Sequence, residues 1–203
     1  MGGSLYLAGS GSFAVDVADW ATVAGMEVLG LIELLDPTRV GGRVNGYEVL
    51  GADGGSGNRV AAIAAGGSRR ESWSILHAHG WMGASVVHPG AIVSSSARLG
   101  DGCLVGPGAV IGAQAVIGDH VLVSRGALVG HHTSIADFTC VLPGANIAGN
   151  ARLGSDVMVG MGAAVVDHVC VGDRAVVAAG AVVLRDVDPD ARVQGLPARP
   201  YSA

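Results

Sequence analysis

Two adjacent histidines, His131 and His132, stand in the segment Val129-Gly130-His131-His132-Thr133-Ser134. Imidazole titrates nearer neutral pH than any other side chain, so an exposed histidine within reach of an amine or hydroxyl is suited to general-base work. Eighteen residues after His131 comes Gly149, and eighteen after His132 comes Asn150. If residues eighteen apart stack, a glycine lies over His131. Its missing side chain would admit a thioester, and its N–H would face the oxyanion that forms when the carbonyl is attacked. His132 would then share a polar column with Gln114, Asn150 and His168 that orients or binds substrate. Two other readings stay open: a solvated histidine pair on a hydrated face, and a zinc site, imidazole being a common ligand. Against zinc, neighbouring side chains are expected to diverge, and no Cys or acidic residue joins them at a familiar ligand spacing.

The repeat that would position these residues runs through more than half of the chain. From Val87 to Val183 every sixth residue is Val, Leu or Ile, seventeen in succession without insertion. Four residues after each anchor stands a small or β-branched residue such as Ala91, Cys103, Val121, Thr133 or Ala163, and Gly recurs just after the anchor. A period of six matches neither a helix nor a coiled coil. It fits short β-strands broken by a turn, the pattern of hexapeptide parallel β-helices. Three hexads close one triangular coil of eighteen residues, so residues eighteen apart lie about one strand spacing apart, roughly 4.8 Å. Each coil buries its apolar face only against its neighbours, which makes the stack one cooperative rod. A collagen-like reading of the 34 glycines fails, because Gly does not recur strictly at every third residue.

Composition narrows the function classes. The chain has 203 residues, half of them hydrophobic but few aromatic, and a net charge of −5. No Lys/Arg block is present, which argues against nucleic acid or an anionic membrane as partner. The N-terminus lacks a basic signal-peptide region, and the apolar anchors are too interrupted for a transmembrane span. Three cysteines at no metal spacing (Cys103, Cys140 and Cys170) point to reduced thiols in a cytoplasm.

Residues 1–86 lack the hexad and are expected to form a small α/β domain, followed by a β-helix over 87–188 and a tail over 189–203. Strands are expected at 4–8, 28–34 and 60–64, with helices at 13–24 and 69–79. Gly9-Ser10-Gly11-Ser12-Phe13-Ala14 matches G-x-G-x-x-A after a strand, with Glu33 following 24 residues after Gly9. Those are elements of a dinucleotide fingerprint, in which amides at a helix end bind phosphate. The domain is about half the length a full dinucleotide fold needs, which favours a mononucleotide-like pocket, with a plain tight turn as the alternative.

These residues carry a family resemblance. Residues 129–137 (VGHHTSIAD) and 143–149 (PGANIAG), joined to this first domain, resemble the sugar O-acyltransferase family of sialic acid O-acetyltransferases and UDP-4-amino-sugar N-acetyltransferases. Residues 180–186 (GAVVLRD) and 193–199 (VQGLPAR) are similar to the ends of many hexapeptide acyltransferases. The resemblance implies a Rossmann-like βαβ domain, a left-handed β-helix, a homotrimer and acetyl-CoA as co-substrate, with no metal. It implies His131 as general base, with His132 beside it where the family has Asp or Glu; Asp137 or a residue of a neighbouring subunit is the other candidate partner. Acetyl-CoA contacts fall on Cys140, Gly149, Met161, Ala179 and Gly180. Acceptor contacts fall on Ser124 and, in the first domain, on Gly9, Ser10, Gly11, Ser12, Phe13, Glu33 and Gly66. Phe13 stands where the family often has histidine, and Glu33-Leu34 where it has paired Asp. The resemblance therefore predicts an acetyl-CoA-dependent acetyltransferase acting on an amine or hydroxyl of a sugar, with a nucleotide-linked amino sugar as the leading acceptor. The competing classes are a carbonic-anhydrase-like metal-dependent hydratase on the same rod and a non-catalytic trimeric scaffold.

Overall fold

The computed structural model describes residues 3–55, 57, 59–65 and 68–201, in two units, Met1–Pro89 and Gly90–Ala203. In the second unit the hexad becomes a left-handed parallel β-helix. Each coil contributes three two-residue strands, one to each of three sheets, and neighbouring strands between 92 and 183 pair in a register that steps by eighteen. Leu128 pairs with Asn146 and Val129 with Ile147; on the next sheet Ser134 pairs with Arg152 and Ile135 with Leu153. The anchors point inward: Val105, Val123, Val141, Val159 and Val177 are fully buried, as are the small residues Ala109, Ala127, Ala145, Ala163 and Ala181. Two threonines at small-residue positions keep their hydroxyls satisfied in this apolar interior. Thr133 Oγ1 donates to Ala148 O (3.0 Å), and Thr139 Oγ1 donates to Gly154 O (2.7 Å) while accepting from Val157 N (3.0 Å).

From Gly102 to Gly180 each turn places one residue in the left-handed backbone region, with φ between 55° and 68°. On one corner these are Gln114, His132, Asn150 and His168; on the second His120, Phe138, Asp156 and Arg174; on the third Gly108, Gly126, Gly144, Gly162 and Gly180. The polar stripe expected from the spacing thus has a backbone cause, since Asn and His are among the non-glycine residues enriched at positive φ. The described part of the expected tail, residues 189–201, does not trail away. Arg192–Gln194 pairs in parallel with Val176–Val177, and Arg199–Pro200 folds back antiparallel onto it, covering the last sheet edge.

The first unit is a six-stranded sheet. Its elements are β1 (Ser4–Ala8), α1 (Ser12–Val23), β2 (Glu27–Ile32), β3 (Arg43–Val44), β4 (Tyr47–Leu50), β5 (Val60–Ile63), α2 (Arg69–Ala78) and β6 (Met82–Gly83). The order is β3-β4-β2-β1-β5-β6, parallel throughout except for the β3–β4 hairpin. Helix α1 buries Ala14, Val17, Ala18 and Ala21, spaced three, four and seven as an amphipathic helix requires. The expected strands and helices are present within two residues of their ends. The β3–β4 hairpin and β6 are additions, and the hairpin turns on Asn45-Gly46, both at positive φ.

Candidate active site

His131 sits at the exposed corner between the strand Leu128–Val129 and the strand Ser134–Ile135. Gly149 occupies the same place one coil further on. A Cβ built on Gly149 would stand 2.7 Å from His131 Cε1 and 2.8 Å from Nε2, so the imidazole fills the space that any other residue at 149 would claim. At the equivalent place on the next corner the chain keeps carboxylates that serve the backbone instead. Asp119 accepts from Asp101 N (2.9 Å), Asp137 from Asp119 N (2.8 Å) and Asp173 from Ser155 N (2.8 Å). Asp137 Oδ1 is thereby engaged by the backbone, and among the described residues no hydrogen bond joins Asp137 to His131.

His132 does not diverge from His131 as alternation along an extended chain predicts. The two Nδ1 atoms are 3.0 Å apart, with ring centroids at 5.2 Å and planes at 87°. The cause is the φ of +58° at His132, which rotates its side chain out of the extended pattern and onto its neighbour. Further along the column His168 Nε2 lies 3.8 Å from Asp167 Oδ2, both well exposed. Among the described residues no group of three or more His, Cys, Asp or Glu is placed to hold a metal ion.

The remaining rod residues fall elsewhere on the triangle. Ser124, Met161, Ala179 and Gly180 belong to the preceding corner, separated from the His131 corner by the face that carries Leu128, Asn146 and Ala164. Cys140 lies on the face leading to that corner and is buried, as is Ser124. Met161 is 56% exposed and Gly180 faces open space. Within one chain, then, only Gly149 joins the two histidines.

In the first unit the loop between β1 and α1 brings Ser10 to Glu33, 23 residues apart, with the Ser10 hydroxyl donating to Oε2. Glu33 Oε1 accepts from the amides of Leu34 (3.1 Å), Leu35 (2.9 Å) and Asp36 (3.0 Å), and Arg39 Nη1 lies 3.8 Å from Oε2. Burial pushes the carboxyl up, but the Ser10 hydroxyl and the three amides together hold it below its ordinary value of 4.5. This acid pins its own loop, where the fingerprint would have it hold a ribose. Gly9 has φ +124° and packs so closely that a Cβ would lie 2.8 Å from Ala64 O. Gly11 caps α1 without a side-chain bond, Ser12 is exposed, and Phe13 packs edge-on against Trp20 at 5.7 Å. Gly66 lies outside the described residues. Arg39 is the group that spacing did not reveal; it reaches Glu33 only because the short helical turn Pro37–Arg39 folds it back.

The Glu33 contacts give a test of their own. A depressed carboxyl contributes stability that is complete above 4.5 and is lost as pH falls through the folded-state value. Ser10→Ala removes one of its donors. The difference in melting temperature between native and variant protein is expected to be widest near neutral pH and to shrink below 4.5; a constant difference would reduce the hydroxyl to packing alone.

Comparisons with known proteins converge on one group. The family model described as bacterial transferase hexapeptide (six repeats) matches residues 150–185. No curated protein sequence matches the chain. Among solved structures, the acetyltransferase domain of PglB from Neisseria gonorrhoeae is 32% identical, covering 98% of this chain and 99% of its own, with a TM-score of 0.88. The same domain in complex with acetyl coenzyme A is similar at 31% identity over 99% and 100%, with a TM-score of 0.87. A histidine-to-asparagine variant of perosamine N-acetyltransferase from Caulobacter crescentus, in complex with CoA and GDP-perosamine, is 29% identical over 100% and 98%, with a TM-score of 0.88.

Proposed function

The chain belongs to the sugar acetyltransferase family of the left-handed β-helix, hexapeptide-repeat superfamily, and on that premise we propose that it transfers acetyl from acetyl-CoA to an amine of a nucleotide-linked sugar, with His131 as general base. The observation that carries this reading is the exposed imidazole packed against Gly149, with Nε2 and Cε1 in the space that only glycine leaves open. The Gly149 N–H donates to no acceptor among the described residues, because the rung bond to His131 O comes from Asn150 N (2.9 Å). It is therefore available to the oxyanion.

When bound, acetyl-CoA supplies an activated acetyl group whose C–S bond breaks as the C–N bond to the acceptor forms. His131 Nε2 takes the proton that the acceptor nitrogen gives up and returns one to the departing sulfur. Nucleotide recognition is assigned to the first unit, at the loop of Gly9, Gly11 and Ser12. With Ser10 and Glu33 bound to each other there, the acceptor differs in its nucleotide contacts from one held by a free carboxylate. The reaction is placed in the cytoplasm, where Cys103, Cys140 and Cys170 stay reduced. In the described residues no helix is long and apolar enough to cross a membrane.

Of the residues assigned to acetyl-CoA, Gly149 lies on one corner of the prism and Met161, Ala179 and Gly180 on another, which supports a site shared between copies. A groove that uses both corners is completed when the His131 corner of one copy lies beside the Met161 and Ala179 corner of another. Three copies of the 20.1 kDa chain in a closed ring repeat that contact three times. The Met161 and Ala179 corner suits a close neighbour, since its left-handed positions Gly108, Gly126, Gly144, Gly162 and Gly180 present no side chain.

Release of free thiol from acetyl-CoA, measured with GDP-perosamine, UDP-linked 4-amino sugars and sialic acid in turn, tests the reading. Turnover with an amino sugar and none with sialic acid is expected. Turnover with sialic acid alone overturns the choice of amine, and binding of every ligand without thiol release favours a scaffold. Mixing His131→Ala with Ala179→Trp chains tests the shared site: activity should return in mixed oligomers, and its absence would confine the site to one chain.

A further inference from the structure

One charged side chain of the first unit is buried and has no part in the chemistry at His131. Arg69, the first residue of α2, is 2% exposed. Its Nη1 donates to Ile63 O (2.7 Å) and to Ala65 O (2.9 Å). These two carbonyls continue a series. In a parallel sheet alternate carbonyls of a strand face the same neighbour. On the side of β5 that faces β6, Met82 N donates to Arg59 O (2.8 Å) and Ala84 N to Ala61 O (2.9 Å). The two-residue strand β6 reaches no further, and the next carbonyls in the alternation are Ile63 O and Ala65 O. Arg69 supplies the donors that a longer strand would have given, and so satisfies the backbone at the buried end of β5.

These rungs stand at the wall of a crevice. The order β3-β4-β2-β1-β5-β6 places β2 on one side of β1 and β5 on the other. A parallel sheet takes ligands outside the carboxyl ends of its strands, at the point where the strand order reverses. There Ala64, which follows β5, meets Gly9, which follows β1. Ala64 N donates to Ala8 O (2.8 Å), and Ala64 O lies 2.8 Å from the place that a Cβ of Gly9 would take. On the other side Gly9 N donates to Ile32 O (2.8 Å), and the Ser10 hydroxyl donates to Glu33. Glu33 therefore pins the residues after β2 and Arg69 those after β5, with Gly9 held between them.

We propose that Arg69 is a positioning residue for nucleotide binding: by bonding Ile63 O and Ala65 O it keeps Ala64 against Gly9, and so sets the loop of Gly9, Gly11 and Ser12 that faces the nucleotide. The inference rests on the assignment of nucleotide recognition to the first unit. Arg69 itself stays behind the wall and touches no ligand. Its Nη1 carries two N–H groups, one for each carbonyl. Ser68, at φ +51°, turns the chain ahead of α2, and a side chain in the first helical turn leans back toward the segment that precedes the helix. A buried donor is needed at this place because the sheet has run out of strand, and the requirement falls on the wall that the nucleotide loop is built against.

Arg69→Met keeps the apolar stem and removes the donors. Calorimetric titration with GDP and UDP, read for whichever the native protein binds more tightly, should show Kd raised about tenfold, the cost of a hydrogen bond from a charged group. KM for the nucleotide-linked acceptor should rise by the same factor, with kcat and KM for acetyl-CoA within about twofold of native. Arg69→Lys, one bond shorter but still a donor, should return Kd to within about threefold. Hydrogen exchange reads the cause: the amides of Gly9 and Ala64 should exchange about tenfold faster in Arg69→Met, and those of the rod at the native rate. A merely structural role would loosen the whole sheet and would not separate the two substrates. If Arg69→Met does not fold, Arg69→Gln, whose shorter amide reaches one carbonyl, takes its place with Kd raised about threefold. Native Kd in the folded variant, equal rises in KM for both substrates, or native exchange at Gly9 and Ala64 would each overturn the proposal. Native protein that binds neither GDP nor UDP removes the nucleotide reading and Arg69 with it, whereas binding that survives the substitution removes Arg69 alone.

Discussion

Replacement of His131 by alanine is expected to lower kcat by about 10²–10⁴, the range a general base contributes, while leaving the melting temperature close to native. The reasons lie in where the side chain is. His131 is exposed at a corner, it contributes no apolar area to the rod, and its carbonyl, which the variant keeps, is what the backbone uses to bond Asn150 N. Surface substitutions away from caps and cores change stability by about 0.5 kcal/mol or less. KM for acetyl-CoA should also change little, since the gap beneath Gly149 widens and does not close. A steady-state assay of thiol release beside a thermal melt separates these effects. A kcat within about threefold of native would place the chemistry at another residue and remove the basis for assigning His131.

The rod was legible because its period is a geometric statement: six residues per face and three faces per coil fix which residues stack, before any contact is known. Gly149 over His131 follows from that arithmetic alone, and the structure puts the ring where a Cβ of residue 149 would be. The approach of His132 to His131 does not follow from it. Alternation of side chains predicts divergence, and only the positive φ at residue 132 reverses this. The glycines at 108, 126, 144, 162 and 180 hinted at such a conformation, but on the corner where the residues are Gln114, His132, Asn150 and His168 the hint was hidden by the polar side chains. In the first unit, β3 and β4 are two and four residues long, too short to show alternation, although Asn45-Gly46 between them is a hairpin signal in its own right. Glu33 shows a different limit. Its spacing from Gly9 matches a ribose-binding acid, yet the amides that follow it and the hydroxyl of Ser10 already use its oxygens. Whether an acid is spent internally depends on the path of its own loop, which no spacing rule describes.

Gly149 supplies the second large effect, and the reasoning turns on what a side chain there would strike. The backbone at 149 is not in the left-handed region, so its conformation does not demand glycine. The atoms met by its Cβ belong to the His131 imidazole at 2.7 Å and 2.8 Å, the movable end of a side chain. Gly149→Val should therefore fold with native-like stability but push the base aside and close the approach to it. A displacement of about 1 Å at a reacting group can cost about a hundredfold, which is the fall expected in kcat/KM for acetyl-CoA. Gly130→Ala, one coil earlier, makes the contrast. There a Cβ would meet backbone, Gly149 N at 2.5 Å and Gly149 Cα at 2.8 Å, so the rod itself must shift. Its principal effect is a loss of stability of about 1–3 kcal/mol, read as a lower urea midpoint, as for other overpacked interiors. Combining Gly149→Val with His131→Ala completes the argument, because residues that act through one another are not additive. Once the imidazole is gone, the valine has no base to displace, and its effect on kcat should vanish while its effect on KM for acetyl-CoA persists. Full additivity in kcat would mean that the gap and the base serve different steps, and the column of eighteen would then describe the fold without describing the site.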